Sequence, residues 1–221
     1  MLFVSREQQV TDHCSSFLCR LRLREEVDIL KHLSDAAARS SDTSIRLARR
    51  HPNILSYIDS WEEDETLYIQ TELCELGNFA HFLWEYGRAF PRLDEARVWK
   101  IMAELAAGLR FIHDANVIHL DLKPANIFLT GEGRLKIGDF GMASLWPRPS
   151  PPGEPTLIPG QKPAGFEREG DKLYLAPEVL QGRYGKAADV FSLGMTMLET
   201  ASNIVVPDQC MPLFLVYERG C

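Results

Sequence analysis

Two short runs define the chemistry within reach of this chain: His119-Leu120-Asp121-Leu122-Lys123-Pro124-Ala125-Asn126 and, a little further on, Asp139-Phe140-Gly141. Together they order a carboxylate, a cation and two oxygen ligands in a way that suits phosphoryl transfer to a hydroxyl group. That reaction needs little covalent help from a protein. It needs alignment, charge neutralisation and a group that takes the hydroxyl proton. Asp121 supplies the proton acceptor. Lys123, two residues on, supplies a charge for the γ-phosphate, and Pro124 stiffens the loop between them. Asn126 offers a neutral oxygen and Asp139 a charged one, the hard ligands that Mg²⁺ takes. Each residue alone is an ordinary loop residue. The spacing H-x-D-x-x-x-x-N, then Asp-Phe-Gly, then Ala176-Pro177-Glu178, then Asp189 within an apolar stretch makes the set specific.

Such groups need rigid elements to hold them. Leu23, Val27, Leu30 and Leu33 recur at three- and four-residue steps and predict a helix over residues 20–33, with a polar loop over 34–44. Residues 54–61 and 66–71 are rich in β-branched and aromatic types and read as two strands. The acidic run Glu62-Glu63-Asp64-Glu65 is the turn between them. Residues 78–86 read as a short helix. Asp94 reads as the N-cap of a longer one with Val98, Ile101, Met102, Leu105, Leu109 and Ile112 on its inner face. Apolar runs at 117–118, 127–129 and 135–137 bracket the chemical loop, with a turn at 131–133. Residues 147–163 are too proline-rich for helix or central strand and read as a flexible insert. A buried helix is expected over 187–202, and residues 211–216 form an isolated apolar run.

Composition is that of a globular chain: 221 residues, 45% hydrophobic, 25% charged, enough for one sizeable core. The net charge of -7 argues against nonspecific nucleic-acid binding, which rests on Lys and Arg neutralising phosphates. No apolar run reaches membrane-spanning length, and the N-terminal residues do not read as a signal peptide. Cys14, Cys19, Cys74, Cys210 and Cys221 form no metal or redox spacing, even with His13 nearby. They are expected to be free thiols in the nucleus or cytoplasm.

From about residue 20 to 208 the chain resembles a eukaryotic protein kinase, and most specifically the Wee/Myt family of mitotic-inhibitor kinases in its fungal form. Besides the two runs above, the resemblance rests on Leu-Arg-Glu-Glu-Val-Asp-Ile-Leu at 23–30, Asp-Ser-Trp-Glu at 59–62 and Gln-Thr-Glu-Leu-Cys at 70–74. Glu-Gly-Asp-Lys-Leu-Tyr-Leu-Ala-Pro-Glu at 169–178 and Ala-Asp-Val-Phe-Ser-Leu-Gly at 188–194 add to it. It implies an α+β, two-lobed fold and ATP and Mg²⁺ as cofactors. It also implies inhibitory tyrosine phosphorylation of a cyclin-dependent kinase, by a monomer. By the same resemblance Glu26 is the glutamate of the N-lobe helix, facing the nucleotide site. Thr71, Glu72 and Cys74 belong to the adenine hinge, and Phe128 lies beneath the adenine. Leu120 stands where most kinases carry an arginine that pairs with activation-loop phosphate, so this loop is expected to order without phosphorylation.

The chain also departs from that pattern. It holds no Gly-rich phosphate loop, and its first lysine is Lys31. The expected organisation is a non-family segment over 1–19, an N-lobe remnant over 20–76 lacking the first three strands, a mainly helical C-lobe core over 77–208, and a non-family tail over 209–221. The domain thus reads as incomplete at both ends. Strand 66–71 should then expose a bare edge, and Glu178 should lack its usual arginine. Two alternatives remain: a noncatalytic binding module of the same fold, and a kinase of another family, such as the translation-factor kinases.

Overall fold

The computed structural model describes residues 3–8, 17–63, 66–147 and 171–202. A three-stranded antiparallel sheet of order β1-β3-β2 lies at the N-terminal end, with β1 Phe3–Gln8, β2 Tyr57–Glu63 and β3 Thr66–Glu72. The expected bare edge on β3 is therefore absent. β1 pairs along it from Phe3 opposite Glu72 to Gln8 opposite Leu67. The alternation of Val4, Ser5, Arg6 and Glu7 is too polar to announce a strand, and pairing to β3 supplies what the pattern lacks.

Helix α1, Phe17–Ala38, starts earlier and runs further than the predicted 20–33. Val27, Leu30, Leu33 and Ala37 are buried in one continuing stripe, and the strong helix formers Ala36, Ala37 and Ala38 carry the period past Ser34. The expected loop over 34–44 thus shrinks to a short turn. A second helix follows, α2 Thr43–Ala48, opened by Asp42, whose carboxylate accepts from Ser44 N and Ile45 N, and closed by Arg49 in the left-handed region.

Most of the remaining elements are those the sequence predicts, within a few residues; a two-residue strand at 144–145 and a one-turn helix at 177–180 are additions. α3, Phe79–Ala89, is capped by Asn78, and α4, Glu95–Asp114, by Asp94. Ile101, Leu105, Leu109 and Ile112 of α4 are buried, and Val98 and Met102 pack against that core. The short strands β4 Val117–Ile118, β5 Ile127–Leu129, β6 Leu135–Ile137 and β7 Ser144–Leu145 form two small hairpin-like sheets, β4 with β7 and β5 with β6. α5, Pro177–Leu180, and α6, Lys186–Ser202, complete the described chain. The proline-rich insert beyond Pro147 and the run at 211–216 lie outside the described residues. Among the described residues no helix is long and apolar enough to cross a membrane.

One core binds both ends together. It contains Val27, Leu30 and Ile69 from the N-terminal part, and Leu105, Ile112, Leu122, Ile137 and Phe140 from the remainder. A second cluster joins Ile118 and Leu120 to Leu175, Ala176, Val179, Tyr184 and Ala188. Burial of these side chains is the main driving force holding the segments in place.

Candidate active site

The loop between β4 and β5 turns back on itself because Leu120 adopts φ +64°, a strained choice for a branched side chain. Two features stabilise it. The leucine side chain is buried in the second cluster, against Leu175 and Val179. Its backbone N–H donates to Asp189 Oδ1 at 2.7 Å, while His119 N donates to Asp189 Oδ2 at 2.8 Å. Asp189 is fully buried near the start of α6, and His113 Nε2 approaches the same Oδ2 at 2.8 Å. One carboxylate thereby satisfies two buried amides that the turn would otherwise leave without partners. Leu120 thus takes the arginine's place by packing onto the segment that an arginine would hold by charge.

Asp121 follows directly. Its Oδ1 accepts Asp171 N at 2.9 Å and its Oδ2 accepts Asn126 Nδ2 at 2.8 Å; the same Nδ2 also donates to the Asp121 carbonyl at 2.8 Å. Lys123 Nζ lies 3.2 Å from Asp121 Oδ2 and 3.5 Å from Asp171 Oδ2. The structure therefore brings Asp121, Lys123 and Asn126 into one network. Because the Asn126 nitrogen is committed to Asp121, its oxygen is the atom left to face a cation. The backbone carbonyl of Asn126 accepts Gly138 N at 2.9 Å, which ties the loop to the strand preceding Asp139. Asp139 sits at φ +58°. The His119 ring stacks obliquely on Phe140, 5.0 Å between centroids, and Nε2 donates to Gly138 O at 3.0 Å.

The six residues assigned to nucleotide binding, Glu26, Thr71, Glu72, Cys74, Phe128 and Asp139, all line one cavity of about 540 Å³, together with Leu30, Leu55, Ile69, Leu73, Gly77 and Phe140. Its walls are largely apolar, as flat aromatic ligands require. Gly138 is needed here, since a Cβ at this position would lie 2.9 Å from both Leu55 Cδ2 and Phe128 Cε2. Glu26 is buried and brings its carboxylate beside Gly141. The ionisable side chains lining the cavity, Glu26, Glu72, Cys74 and Asp139, include no cation.

Glu72 does not turn its carboxylate to a ligand. Oε1 accepts Ser56 N at 2.7 Å and pairs with Lys136 Nζ at 2.8 Å behind the hinge. Burial works to raise its pKa, but the Lys136 hydrogen bond and charge and the Ser56 amide outweigh it, so the carboxyl stays below its usual range. Burial, with Glu72 nearby, pushes the Cys74 thiol up to about 11, which keeps it protonated and unreactive. The Glu72 and Cys74 side chains therefore serve the wall of the cavity.

Three residues that matter here were not singled out from the sequence as part of the site. Asp171 completes the Asp121 network and lies inside the run 169–178. An acid placed five residues before Ala-Pro-Glu was the available signal. Lys136 sits between Leu135 and Ile137 in a run read only as apolar, and it is buried beneath the hinge. His119 reads as a spacing residue, although its ring holds Gly138 and Phe140. Glu178, expected to lack its arginine, has no ion pair among the described residues.

A bent loop braced by a buried aspartate, an adjoining Asp-Phe-Gly turn and an apolar cleft beneath a short sheet define the protein-kinase class. The protein kinase domain family matches residues 16–209, and the chain belongs to it. Among curated relatives, the mitosis inhibitor protein kinase wee1 of Schizosaccharomyces pombe is 54% identical over 164 residues, covering 74% of this chain and 17% of that protein. The mitosis inhibitor protein kinase SWE1 of Saccharomyces cerevisiae is 47% identical over 158 residues, 70% of this chain and 18% of the relative. The membrane-associated tyrosine- and threonine-specific cdc2-inhibitory kinase wee-1.3 of Caenorhabditis elegans is 40% identical over 157 residues, 71% of this chain and 21% of the relative. The chain thus spans about a fifth or less of the length of these relatives.

Proposed function

We propose that this chain carries the catalytic loop and adenine cleft of an ATP- and Mg²⁺-dependent kinase that phosphorylates a tyrosine of a cyclin-dependent kinase and so restrains mitosis. The observation that carries the chemistry is the Asp121 network. Its carboxylate is fixed by two N–H donors, one from Asn126 and one from the Asp171 backbone, with the Lys123 ammonium alongside. A carboxylate fixed in this way can orient a substrate hydroxyl and accept its proton as the oxygen attacks phosphorus. Lys123 rests between two carboxylates, so its charge becomes available to a phosphoryl group as the Asp171 contact yields. Asn126 and Asp139 are the residues that would hold the metal. Two oxygen ligands on adjoining turns suit an ion that completes its shell with water and phosphate. ATP with that metal supplies the transferable group. The substrate reading is supported by the printed names of the relatives and by the shared runs at 119–126 and 169–178. The setting that fits is the nucleus or cytoplasm.

The test is a chimera in which a Gly-rich strand pair and a further strand bearing a phosphate-facing lysine precede α1, and the later C-lobe helices follow α6. Incubated with a cyclin-dependent kinase, it should yield phosphotyrosine in the Gly-rich loop of that substrate, and phosphatase pretreatment of the enzyme should leave the rate nearly unchanged. Phosphoserine alone on unrelated proteins, or activity abolished by the phosphatase, would refute the assignment.

A second reading, a noncatalytic binding module, is favoured by one observation: the cavity is lined by three carboxylates and no cation. With no Gly-rich loop, the 221 residues by themselves should align a triphosphate poorly. Calorimetric titration of this chain with Mg²⁺–ATP should give no saturable heat at micromolar concentrations. Micromolar affinity would remove this second reading.

A further inference from the structure

Helix α2 buries none of its six residues. Its caps hold it together, and Leu47 on it is 78% exposed. A chain with a net charge of -7 nevertheless gathers Arg39, Arg46, Arg49 and Arg50 on and beside this helix. All four are exposed, and none has an ion pair among the described residues. The acid within the stretch, Asp42, is already engaged, since it accepts from Ser44 N, Ser44 Oγ and Ile45 N. Arg46 reaches only a backbone carbonyl, that of Ser40, at 3.5 Å.

α2 also walls a groove of about 620 Å³ on the side of the hinge facing away from the nucleotide cleft. Arg50, Leu73, Glu75, Glu132 and Arg134 are among the residues lining it. Two acids there are spoken for. Glu72 is paired with Lys136 at 2.8 Å, and Glu75 accepts Gly131 N at 2.7 Å. Glu75 keeps its charge, so Arg50 and Arg134 stand against Glu75 and Glu132 and the groove is balanced, while the excess of positive charge lies on α2 and its flanks.

We propose that the exposed arginines of α2 and its flanks, with Arg50 and Arg134 at the edge of this groove, form a docking surface for an extended, carboxylate-rich segment of a partner protein with one apolar residue to cover Leu47. Cations spread along a helix about 9 Å long and on to the edge of a groove suit a series of acids better than one dianion, which needs several donors converging on a point. The first-turn amides of α2, the other donors available to an anion, are taken by Asp42. The groove shares Glu72 and Leu73 with the cleft on the other face of the hinge, so a docked segment would lie behind the adenine site. This surface does not depend on whether the kinase reading of the cleft holds.

The test uses the 221-residue chain and a fluorescein-labelled twelve-residue peptide of Asp and Glu with one central Leu, read by anisotropy. Binding should weaken steeply from 50 to 300 mM salt, as exposed charge pairing does, with roughly a tenfold loss over that range. Reversing Arg46, Arg49 and Arg50 to Glu should cost at least about tenfold, and Leu47→Asp or Arg134→Glu about threefold each. Reversing Arg88, Arg92 and Arg110 instead should change affinity less than about twofold. Circular dichroism should be unchanged in every variant, because the substituted side chains are exposed. A Gln/Asn peptide carrying the same Leu should not bind. The proposal is overturned if the control triple weakens binding as much as the α2 triple. It also fails if the neutral peptide binds equally, if only a singly phosphorylated peptide binds, or if a single-stranded oligonucleotide of equal charge binds as tightly.

Discussion

Two carboxylates, Asp121 in the catalytic loop and Glu72 in the hinge, show how surroundings divide similar groups between chemistry and architecture. Asp121 is fixed by N–H donors from Asn126 and Asp171, which orient it beside the Lys123 ammonium. Glu72 is closed off by Lys136 and Ser56 on the far side of the hinge. The loop carboxylate stays beside an ammonium at the proposed reaction site, whereas the hinge glutamate is tied back to a buried lysine. A carboxylate next to a nucleotide cleft is therefore no guide to catalysis until its partners are known.

The largest effect should come from Asp121→Asn in the chimera described above. Losing the proton acceptor should lower phosphoryl transfer by about 10²–10⁴-fold. Nucleotide affinity should stay nearly constant, because the cleft residues are untouched. A parallel fall in both would place Asp121 with the binding groups. Next is Asp189→Ala, which strips His119 N and Leu120 N of their buried acceptor. A loss of about 3–5 kcal/mol in urea unfolding is expected. A loss under 1 kcal/mol would mean that the loop does not depend on this brace.

Behind the hinge, pH separates the two regions. Burial, reinforced by the Lys136 charge and slightly opposed by Asp42, holds His51 at a pKa of about 4. Its ring stacks on Phe111, and Nδ1 accepts Asn53 N at 3.1 Å, so the neutral ring is the form built in. Above pH 6.5 the group is neutral in both folded and unfolded chains. As pH falls from 6.5 towards 4, the unfolded chain takes up a proton that the folded one refuses, and stability drops. His51→Gln should reduce that acid-side loss by about 2–3 kcal/mol. Unchanged slopes of stability against pH would contradict the burial argument.

Gly138→Ala should cost about 1–3 kcal/mol through contact with Leu55 and Phe128, seen as a lower thermal midpoint. Smallest should be Arg24→Ala. It breaks a 3.2 Å pair with Glu62 in which both side chains are more than half exposed, so it should alter stability by less than about 1 kcal/mol. A larger effect would show that α1 and the sheet rely on that pair.

What could be read from the sequence follows the range of each interaction. α4 was legible because its period and its Asp94 cap are local, and the chemical run 119–126 because its spacing lies within one loop. β1 was not legible, since a polar strand is specified by the neighbour it pairs with, residues 67–72, far along the chain. The extension of α1 to Ala38 was hidden by Ser34, which looked like a loop residue until burial of Ala37 showed the stripe continuing. The place of Lys136 was not legible for a similar reason: a lysine within an apolar run gives no sign that a distant glutamate will cover it. In the site, residue types and order were visible at 121, 123, 126 and 139. The contribution of Asp171 depended on a fold that returns it to the loop from fifty residues downstream.

Asp189 bears on how this molecule could be divided. His119 and Leu120 on one side of the proline-rich insert share that single carboxylate with α6 on the other. A cut in the insert would leave two polypeptides, each holding one half of a buried bond, with apolar residues of the second cluster exposed on both. Co-expressed, the pieces would have a specific reason to find each other, and Asp189→Ala in the second piece should abolish their reassembly. The insert is thus a natural place to build a split reporter whose readout is the closing of the catalytic loop.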